Sequence, residues 1–365
     1  KTAQRFVENV SHDFRSPLTV IMEYAALISD EIAGPINSEQ RNLLGIIDDR
    51  AADLNNMVDD MLDASKLESG MLGASRSRAS IREIIDRTLA SIERKAEVRE
   101  VNLHVDFPEI VPPVFCDEEK VERVMINLAS NAIKFTPHGG NVTLRVRRSG
   151  VDEVLVDVED DGIGIPKAKL DEISERFSQV KSWNVGCGSK GFGLGLSIAQ
   201  ELVNINLGQM HVESEDGKGS TFGFTLPIDD PEVVTRKFLN RLRAVESAPF
   251  LSLFQVQVPA YAAPSDADEV RQFLTYFLRQ NDLLLPHQAD SMLMLVSAST
   301  MQMHTFLERL ADERERLNRN RPRGPLPEFD VQCIHSQPLD ADDEVIISAV
   351  RWNSLESEEL THATC

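Results

Sequence analysis

A first candidate for chemistry is the His12–Asp13 pair in VSHDFRSPL (10–18). On a helix, His12 would point about 200° away from the apolar stripe and into solvent. A neutral imidazole is a nucleophile near neutral pH, and Asp13 can accept a proton or orient the ring. Ser16 lies one turn later on the same face, where its hydroxyl can position a water molecule. The alternative interpretation is a surface histidine beside a helix that tolerates Pro17.

A second candidate is the set Asn127, Asn131 and Lys134, for which the pattern predicts a helix over 118–135. Spacings of four and three place the three side chains on one helix face. An Asn carbonyl is a hard oxygen ligand suited to Mg²⁺, and a lysine neutralises phosphate charge. An ordinary polar helix face is the alternative.

A third candidate is VEDDGIGIP (158–166), in which a predicted strand ends at Asp160. Gly162 and Gly164 allow backbone conformations and close approach that other residues forbid. A carboxylate at the end of a strand can accept a hydrogen bond from the exocyclic amine of a base.

A fourth candidate is GSKGFGLGLSIAQELV (188–203), where Gly191, Gly193 and Gly195 lead into a predicted helix. The free amide groups at a helix start favour phosphate. The polar segment 177–190 before it has the length of a loop that closes over a ligand, although a plain surface loop would look the same. Together and in this order, the four segments indicate a nucleotide site and a separate exposed nucleophile.

The sequence predicts a hairpin of two amphipathic helices, the first of which carries His12. Apolar residues recur at helical spacing over 4–30 and again from Leu43, and AGPINSEQ (33–40) separates the two stripes, with Ser38 as the expected N-cap. Such a helical hairpin cannot enclose a core alone, so we expect a homodimer that forms a four-helix bundle. A hairpin packed on its own chain is the alternative.

The chain as a whole divides into four segments. Residues 1–70 hold the hairpin, 71–80 (small and polar) predict a linker, and 81–228 alternate helices and strands in an α/β sandwich with helices on one face of a mixed sheet. After a boundary at 229–232, residues 233–365 show a β-α-β-β-α-β order that predicts an α+β ferredoxin-like domain.

Composition excludes several classes of function. The 365 residues carry a net charge of −21, which argues against nucleic acid or anionic membrane as main partners. The four cysteines have no metal-ligand spacing and predict free thiols in a reducing compartment. No apolar run of about 18 residues appears. We therefore expect a cytoplasmic chain, with any membrane attachment supplied by a region upstream of residue 1.

Residues 1–228 resemble the transmitter core of a bacterial sensor histidine kinase. The resemblance rests on six segments: SHDFRSPL (H box), NLASNAIKFTP (N box), DDGIGIP (G1 box), ERFSQV (F box), GFGLGLSIAQELV (G2 box) and the closing strand GKGSTFGFTLP. It implies a dimeric helical domain followed by an ATP-binding domain of the GHKL kind, shared with Hsp90, DNA gyrase and the mismatch-repair ATPases.

The resemblance also implies roles for single residues. His12 would receive the γ-phosphoryl group of ATP, Asp13 would act as base, and a response regulator aspartate would take the group next. Asn131 would hold Mg²⁺ with Asn127 beside it, and Lys134 would contact phosphate. Asp160 would bind the adenine amine with Thr221 nearby, and Gly162 and Gly164 would shape the pocket. Gly191, Gly193 and Gly195 would form the lid hinge and approach the phosphates, and Phe177 would anchor the lid. Pro17 would mark a helix bend that helps kinase and phosphatase states interconvert.

The sequence departs from this family in two places. Ser16 stands where the family usually has Thr or Asn, which keeps a hydroxyl for phosphatase action. Residues 233–365 lie outside the resemblance and only faintly resemble a diguanylate cyclase palm, with Gln288, Ala289 and Asp290 where that family begins its Gly-Gly-Asp/Glu motif. We expect a regulatory or protein-binding domain there. The alternatives for the whole chain are a nucleotide-binding dimeric scaffold that transfers nothing and a bare ATPase.

Overall fold

The structure is a computed structural model of the chain. It describes residues 2–48, 50, 51, 54, 58, 73–167, 169, 170, 194–244, 250–259, 264–288, 290–298, 300–321 and 324–351. The chain forms two compact units, one of residues 1–72 and 177–198 and the other of residues 73–176 and 199–365.

The first unit contains the predicted helical hairpin. Helix α1 spans Thr2–Ser29 with Pro17 inside it, and helix α2 covers residues 38–48. The N-cap of α2 is Asn37 and not the expected Ser38: its Oδ1 accepts from the Gln40 backbone N–H at 2.8 Å, and its own N–H donates to Gln40 Oε1 at 2.9 Å. This reciprocal pair is a capping box, which satisfies two otherwise unpaired N–H groups.

Only part of the predicted apolar stripe is buried within the single chain. Leu18 and Ala25 are buried, whereas Ile21 and Leu43 are 47% and 55% exposed. Large exposed apolar side chains on both helices agree with the prediction that the hairpin alone does not enclose a core.

The second unit contains a five-stranded mixed sheet with two helices packed on one of its faces. Its elements are β1 (Ser77–Ala79), α3 (Ile81–Val98), β2 (Asn102–Asp106), β3 (Val114–Cys116), α4 (Glu118–Phe135), β4 (Asn141–Ser149), β5 (Glu153–Asp160), α5 (Leu194–Ile205), β6 (Met210–Glu215) and β7 (Gly219–Pro227), of which α5 begins in the first unit. The sheet order is β2-β4-β5-β7-β6, with β2 and β4 parallel and the other neighbours antiparallel. This arrangement confirms the predicted α/β sandwich.

The segment predicted as a linker is in part a structural element. β1 pairs with β3 in a two-stranded antiparallel sheet, and Ala79 is buried. Arg76 donates from its side chain to the carbonyl oxygens of Ile205 and Asp282. Small polar residues predict a flexible connection, but here the backbone pairing and the buried guanidinium fix the chain from residue 73 onward. Residues 71 and 72 lie outside the described residues.

The C-terminal part has the predicted β-α-β-β-α-β order. Its elements are α6 (Pro231–Ala244), β8 (Phe250–Gln257), α7 (Pro264–Phe277), β9 (Asp282–Gln288), β10 (Ser291–Val296), α8 (Thr300–Asn320), β11 (Asp330–Pro338) and a final helix α9 over residues 344–351. The antiparallel sheet has the order β11-β8-β10-β9. Both faces of this sheet are covered, one by α7 and α8 and the other by α6 and α9.

Phe115 of β3 and Leu207 after α5 extend the apolar cluster of the four-stranded sheet, so the chain packs together across the expected boundary at 229–232. Phe115 and Leu207 from the first part of the unit are 1% and 5% exposed and belong to one apolar cluster with Phe238 of α6 and Leu285 of β9. The DDPE segment is the start of α6, since Asp230 Oδ1 accepts from two backbone N–H groups of the first turn at 2.9 Å. A capping Asp followed by proline is a usual helix start.

Polar contacts hold α6 from both sides. Lys237 forms an ion pair with Glu153 at the start of β5, and Arg241 donates to the Gln280 carbonyl oxygen at 2.9 Å.

Within the described ranges, no helix combines the length and apolar character that crossing a bilayer requires.

Candidate active site

Asp160 is the central acidic group of the candidate site. Alternation along β5 puts Val154, Val156 and Val158 on the helix-covered face, and Asp160 ends that row at 7% exposure. Its Oδ1 accepts from the Gly162 backbone N–H at 2.9 Å. Burial raises the pKa of the Asp160 carboxyl, although backbone N–H groups of Gly162 and Ser220 lower it in part.

Strand register decides which hydroxyl lies beside Asp160. The direct partner of Asp160 on β7 is Ser220, whereas Thr221 is opposite Glu159. Directly paired residues project from the same face, so Thr221 belongs to the opposite face of the sheet. The expectation that Thr221 accompanies Asp160 is therefore wrong, and Ser220 takes that position.

The loop after Asp160 can be built only with glycine at two positions. Gly164 has φ +65°, and a Cβ there would lie 2.0 Å from the Glu215 carbonyl oxygen. A Cβ on Gly162 would lie 2.6 Å from both Asp160 Oδ1 and the Phe135 carbonyl oxygen. The loop thus packs directly against the turn between β6 and β7 and against the last residue of α4.

Helix α4 brings the amide residues to the same edge. Its buried face includes Val121, Val124, Leu128 and Ala132. Asn131 Nδ2 donates to Asn127 Oδ1 at 3.2 Å, and both residues are half-buried. That bond uses the amide nitrogen of Asn131, so its carbonyl oxygen is the atom that suits a hard cation.

Lys134 is also half-buried, near the C-terminal end of α4. Its ammonium nitrogen lies 5.5 Å from the Phe135 ring centroid. Because the Phe135 carbonyl oxygen packs at Gly162, the end of α4 and the Asp160 loop adjoin. The Asp160 loop therefore packs against the end of the helix that carries Asn131 and Lys134.

The glycine-rich segment and the histidine lie in the less completely described parts of the chain. Gly191, Gly193 and Phe177 lie outside the described residues, and Gly195 is in the first turn of α5. His12 and Asp13 are in α1, but their side chains are not among those described. Ser16 is exposed on α1 one turn after His12. These residues keep their roles as predictions.

Sequence reasoning missed two residues of the site. Ser214 on β6 and Ser220 on β7 are direct strand partners, and their hydroxyl oxygens lie 2.9 Å apart. The signal available was the Gly-x-Gly turn at 217–219, which joins the two strands and fixes which residues pair.

Comparison with known proteins places this geometry in a class. Residues 116–230 match the family model of the histidine kinase-, DNA gyrase B- and HSP90-like ATPases, and residues 2–70 match that of the His Kinase A phospho-acceptor domain. Residues 116–230 thus correspond to an ATPase domain of the GHKL class. With the phospho-acceptor match before it, residues 2–230 carry the two domains of a sensor histidine kinase transmitter core.

Three curated relatives illustrate the match. The chain is 32% identical over 244 residues to the non-motile and phage-resistance protein of Caulobacter vibrioides, covering 66% of this chain and 29% of the relative. It is 36% identical over 231 residues to the circadian input-output histidine kinase CikA of Thermosynechococcus vestitus, covering 62% and 31%. It is 30% identical over 228 residues to the alginate biosynthesis sensor protein KinB of Pseudomonas aeruginosa, covering 62% and 37%. The matched region is thus about a third of each relative.

Proposed function

We propose that this chain is an ATP-dependent protein-histidine kinase that phosphorylates its own His12. An imidazole nitrogen of His12 forms a bond to the γ-phosphorus of ATP while the bond from that phosphorus to the β,γ-bridging oxygen breaks and ADP leaves. Asp13 accepts the imidazole proton. Such a transfer depends mainly on positioning and on neutralising charge at the phosphates.

The ATP-binding part of the proposal rests on the region around Asp160. Asp160 accepts from the adenine amine, Gly162 and Gly164 keep the pocket wall free of side chains, and Lys134 neutralises phosphate charge. Asn131, supported by Asn127, holds Mg²⁺. The metal ion, when bound, offsets the negative charge of the phosphate oxygens.

Lid residues complete the proposed site. Gly191, Gly193 and Gly195 give the phosphates close access to the backbone, and Phe177 anchors the loop that closes over the nucleotide. Both assignments extend the family pattern to this chain.

Phosphoryl transfer onward follows from the chemistry of the product. The phosphohistidine N–P bond is labile, so we propose that the group passes to an aspartate of a response regulator receiver domain. Exposed apolar residues of the hairpin support a homodimer as the acting form. Ser16 offers a hydroxyl one turn from His12 that can orient water for dephosphorylation of the same regulator. The C-terminal domain is proposed to regulate the kinase or to bind a protein.

A single observation carries the proposal: a phospho-acceptor domain with His12 in α1 precedes an ATPase domain in which the Asp160 loop packs against the end of α4, the helix of Asn131 and Lys134. A dimeric scaffold that binds nucleotide without transfer is the other candidate. The presence of each residue type that transfer requires supports the kinase instead.

The test is phosphorylation by radiolabelled ATP with Mg²⁺, comparing the natural chain with His12→Gln. We expect a label on the natural chain that is lost in acid, survives base and is absent from His12→Gln. His211→Gln is a matched control, since His211 lies on the opposite face of the sheet and pairs with Asp157 at 2.9 Å. Nucleotide binding without any label would favour the scaffold.

A further inference from the structure

Three side chains form a row across neighbouring strands at the proposed base pocket. Asp160 on β5 pairs with Ser220 on β7, and Ser220 pairs with Ser214 on β6. Directly paired residues of antiparallel strands share a face, so all three project from the helix-covered side. Asp160 and Ser220 are buried, at 7% and 8% exposure.

The contacts of the Ser214 hydroxyl fix the direction of its proton. The Ile165 backbone N–H donates to Ser214 Oγ at 2.8 Å. Ser214 Oγ also lies 2.8 Å from the Gly219 carbonyl oxygen, which can only accept. A hydroxyl has one proton and two lone pairs, so Ser214 donates to Gly219 and keeps one lone pair after the bond from Ile165.

That remaining lone pair determines the orientation of the Ser220 hydroxyl. Ser220 Oγ lies 2.9 Å from Ser214 Oγ, and with the Ser214 proton committed, Ser220 must be the donor. Its proton therefore points toward β6. Its lone pairs are left for a group beside Asp160, which makes Ser220 an acceptor there.

We propose that Ser214 is a positioning residue that makes the pocket select adenine over guanine. An ionised Asp160 and a Ser220 oxygen held as acceptor suit the two N–H donors of an exocyclic amine. Guanine carries a carbonyl oxygen at that ring position, which two acceptors repel. The inference rests on the proposed ATP binding and deepens it, because it assigns the base specificity to a residue outside the contact set.

The experiment measures the dissociation constants of Mg²⁺–ATP and Mg²⁺–GTP by calorimetry on the full chain. Ser214→Ala frees the Ser220 proton to turn into the pocket, so we expect the GTP-to-ATP ratio of dissociation constants to fall about tenfold, the size of one reoriented hydrogen bond. Ser214→Thr keeps the hydroxyl and should keep the ratio. Thr143→Ala, opposite Glu159 on the other face, is the matched control.

If Ser214 only supports the loop at Ile165, the ratio of dissociation constants behaves differently. If Ser214 only holds the Ile165 N–H, Ser214→Ala weakens ATP and GTP equally and the ratio stays constant, which overturns the inference. Should Ser214→Ala lose its native circular dichroism, Ser220→Ala gives the same test without touching Ile165, and an unchanged ratio there also overturns it. A natural chain that binds no ATP overturns the proposed function itself, whereas ATP preference that survives in Ser214→Ala and Ser220→Ala overturns the inference alone.

Discussion

Because the apolar cluster of the four-stranded sheet includes Phe115 and Leu207, we expect the four-stranded and five-stranded sheets of the second unit to lose stability together. Phe238 of α6 is fully buried in the cluster that contains Phe115 and Leu285, one from each part of the unit. Phe238→Ala removes the ring and leaves a cavity, which costs about 3–5 kcal/mol for a buried phenylalanine. A typical domain has about 5–15 kcal/mol in total, so the loss is a large fraction of the stability.

Hydrogen exchange followed by mass spectrometry measures this loss in each sheet separately. A decrease of about 3 kcal/mol accelerates exchange by roughly 100-fold for amides that open with the whole unit. We expect this acceleration in peptides from β5 and in peptides from β10. Tyr276→Ala is the control, because Tyr276 is 83% exposed and its removal should change stability by no more than about 0.5 kcal/mol.

One result would refute the reasoning. If Phe238→Ala accelerates exchange in β10 while β5 keeps the exchange rates of the natural chain, the two sheets unfold independently. The cluster would then be a contact surface between two domains and not a common core.

Three further predictions concern the nucleotide site. Ser220→Ala weakens ATP binding about 2–10-fold, and more than Thr221→Ala does, because only Ser220 shares the face of Asp160; calorimetry of both variants distinguishes the two positions. ATP affinity falls with decreasing pH as the Asp160 carboxyl is protonated, and because burial raises the pKa of this carboxyl, the fall begins at a higher pH than for an exposed aspartate. Asp160→Asn removes this pH dependence. An affinity of the natural chain that stays constant down to the usual titration range of aspartate contradicts the prediction. Gly164→Ala forces a Cβ against the Glu215 carbonyl oxygen at positive φ, so we expect a loss of at least about 1–3 kcal/mol in a thermal melt together with weaker ATP binding; an unchanged melting temperature would show that the loop adapts.

The parts of the fold set by periodicity could be predicted from the sequence. Helix α4 has the predicted bounds, and its buried residues follow the spacing of three and four. Strand β5 ends at Asp160 as expected, and its alternating valines place Asp160 at the end of the covered face. Both results depend only on the local repeat of one element.

Features that depend on pairing between distant elements could not be predicted from the sequence. Thr221 and Ser220 are neighbours in sequence, and a register shift of one residue exchanges their faces, which no property of β7 alone decides. Arg76 lies in a segment whose composition predicts a linker, yet its partners Ile205 and Asp282 are more than 100 residues away. The sequence places the N-cap of α2 one residue too late, because Asn37 and Ser38 are both good caps.

The apolar cluster that includes Phe115 and Phe238 also constrains how this chain can be recombined with others. A gene fusion that joins another output domain after Pro227 would keep every residue of the family pattern but would expose Phe115 and Leu207, which α6 and the four-stranded sheet now cover. Such a chimera would need compensating polar substitutions on that surface to remain soluble. Phe115 and Phe238 are therefore constrained together, and a change in the volume of one side chain should be tolerated best with a compensating change in the other.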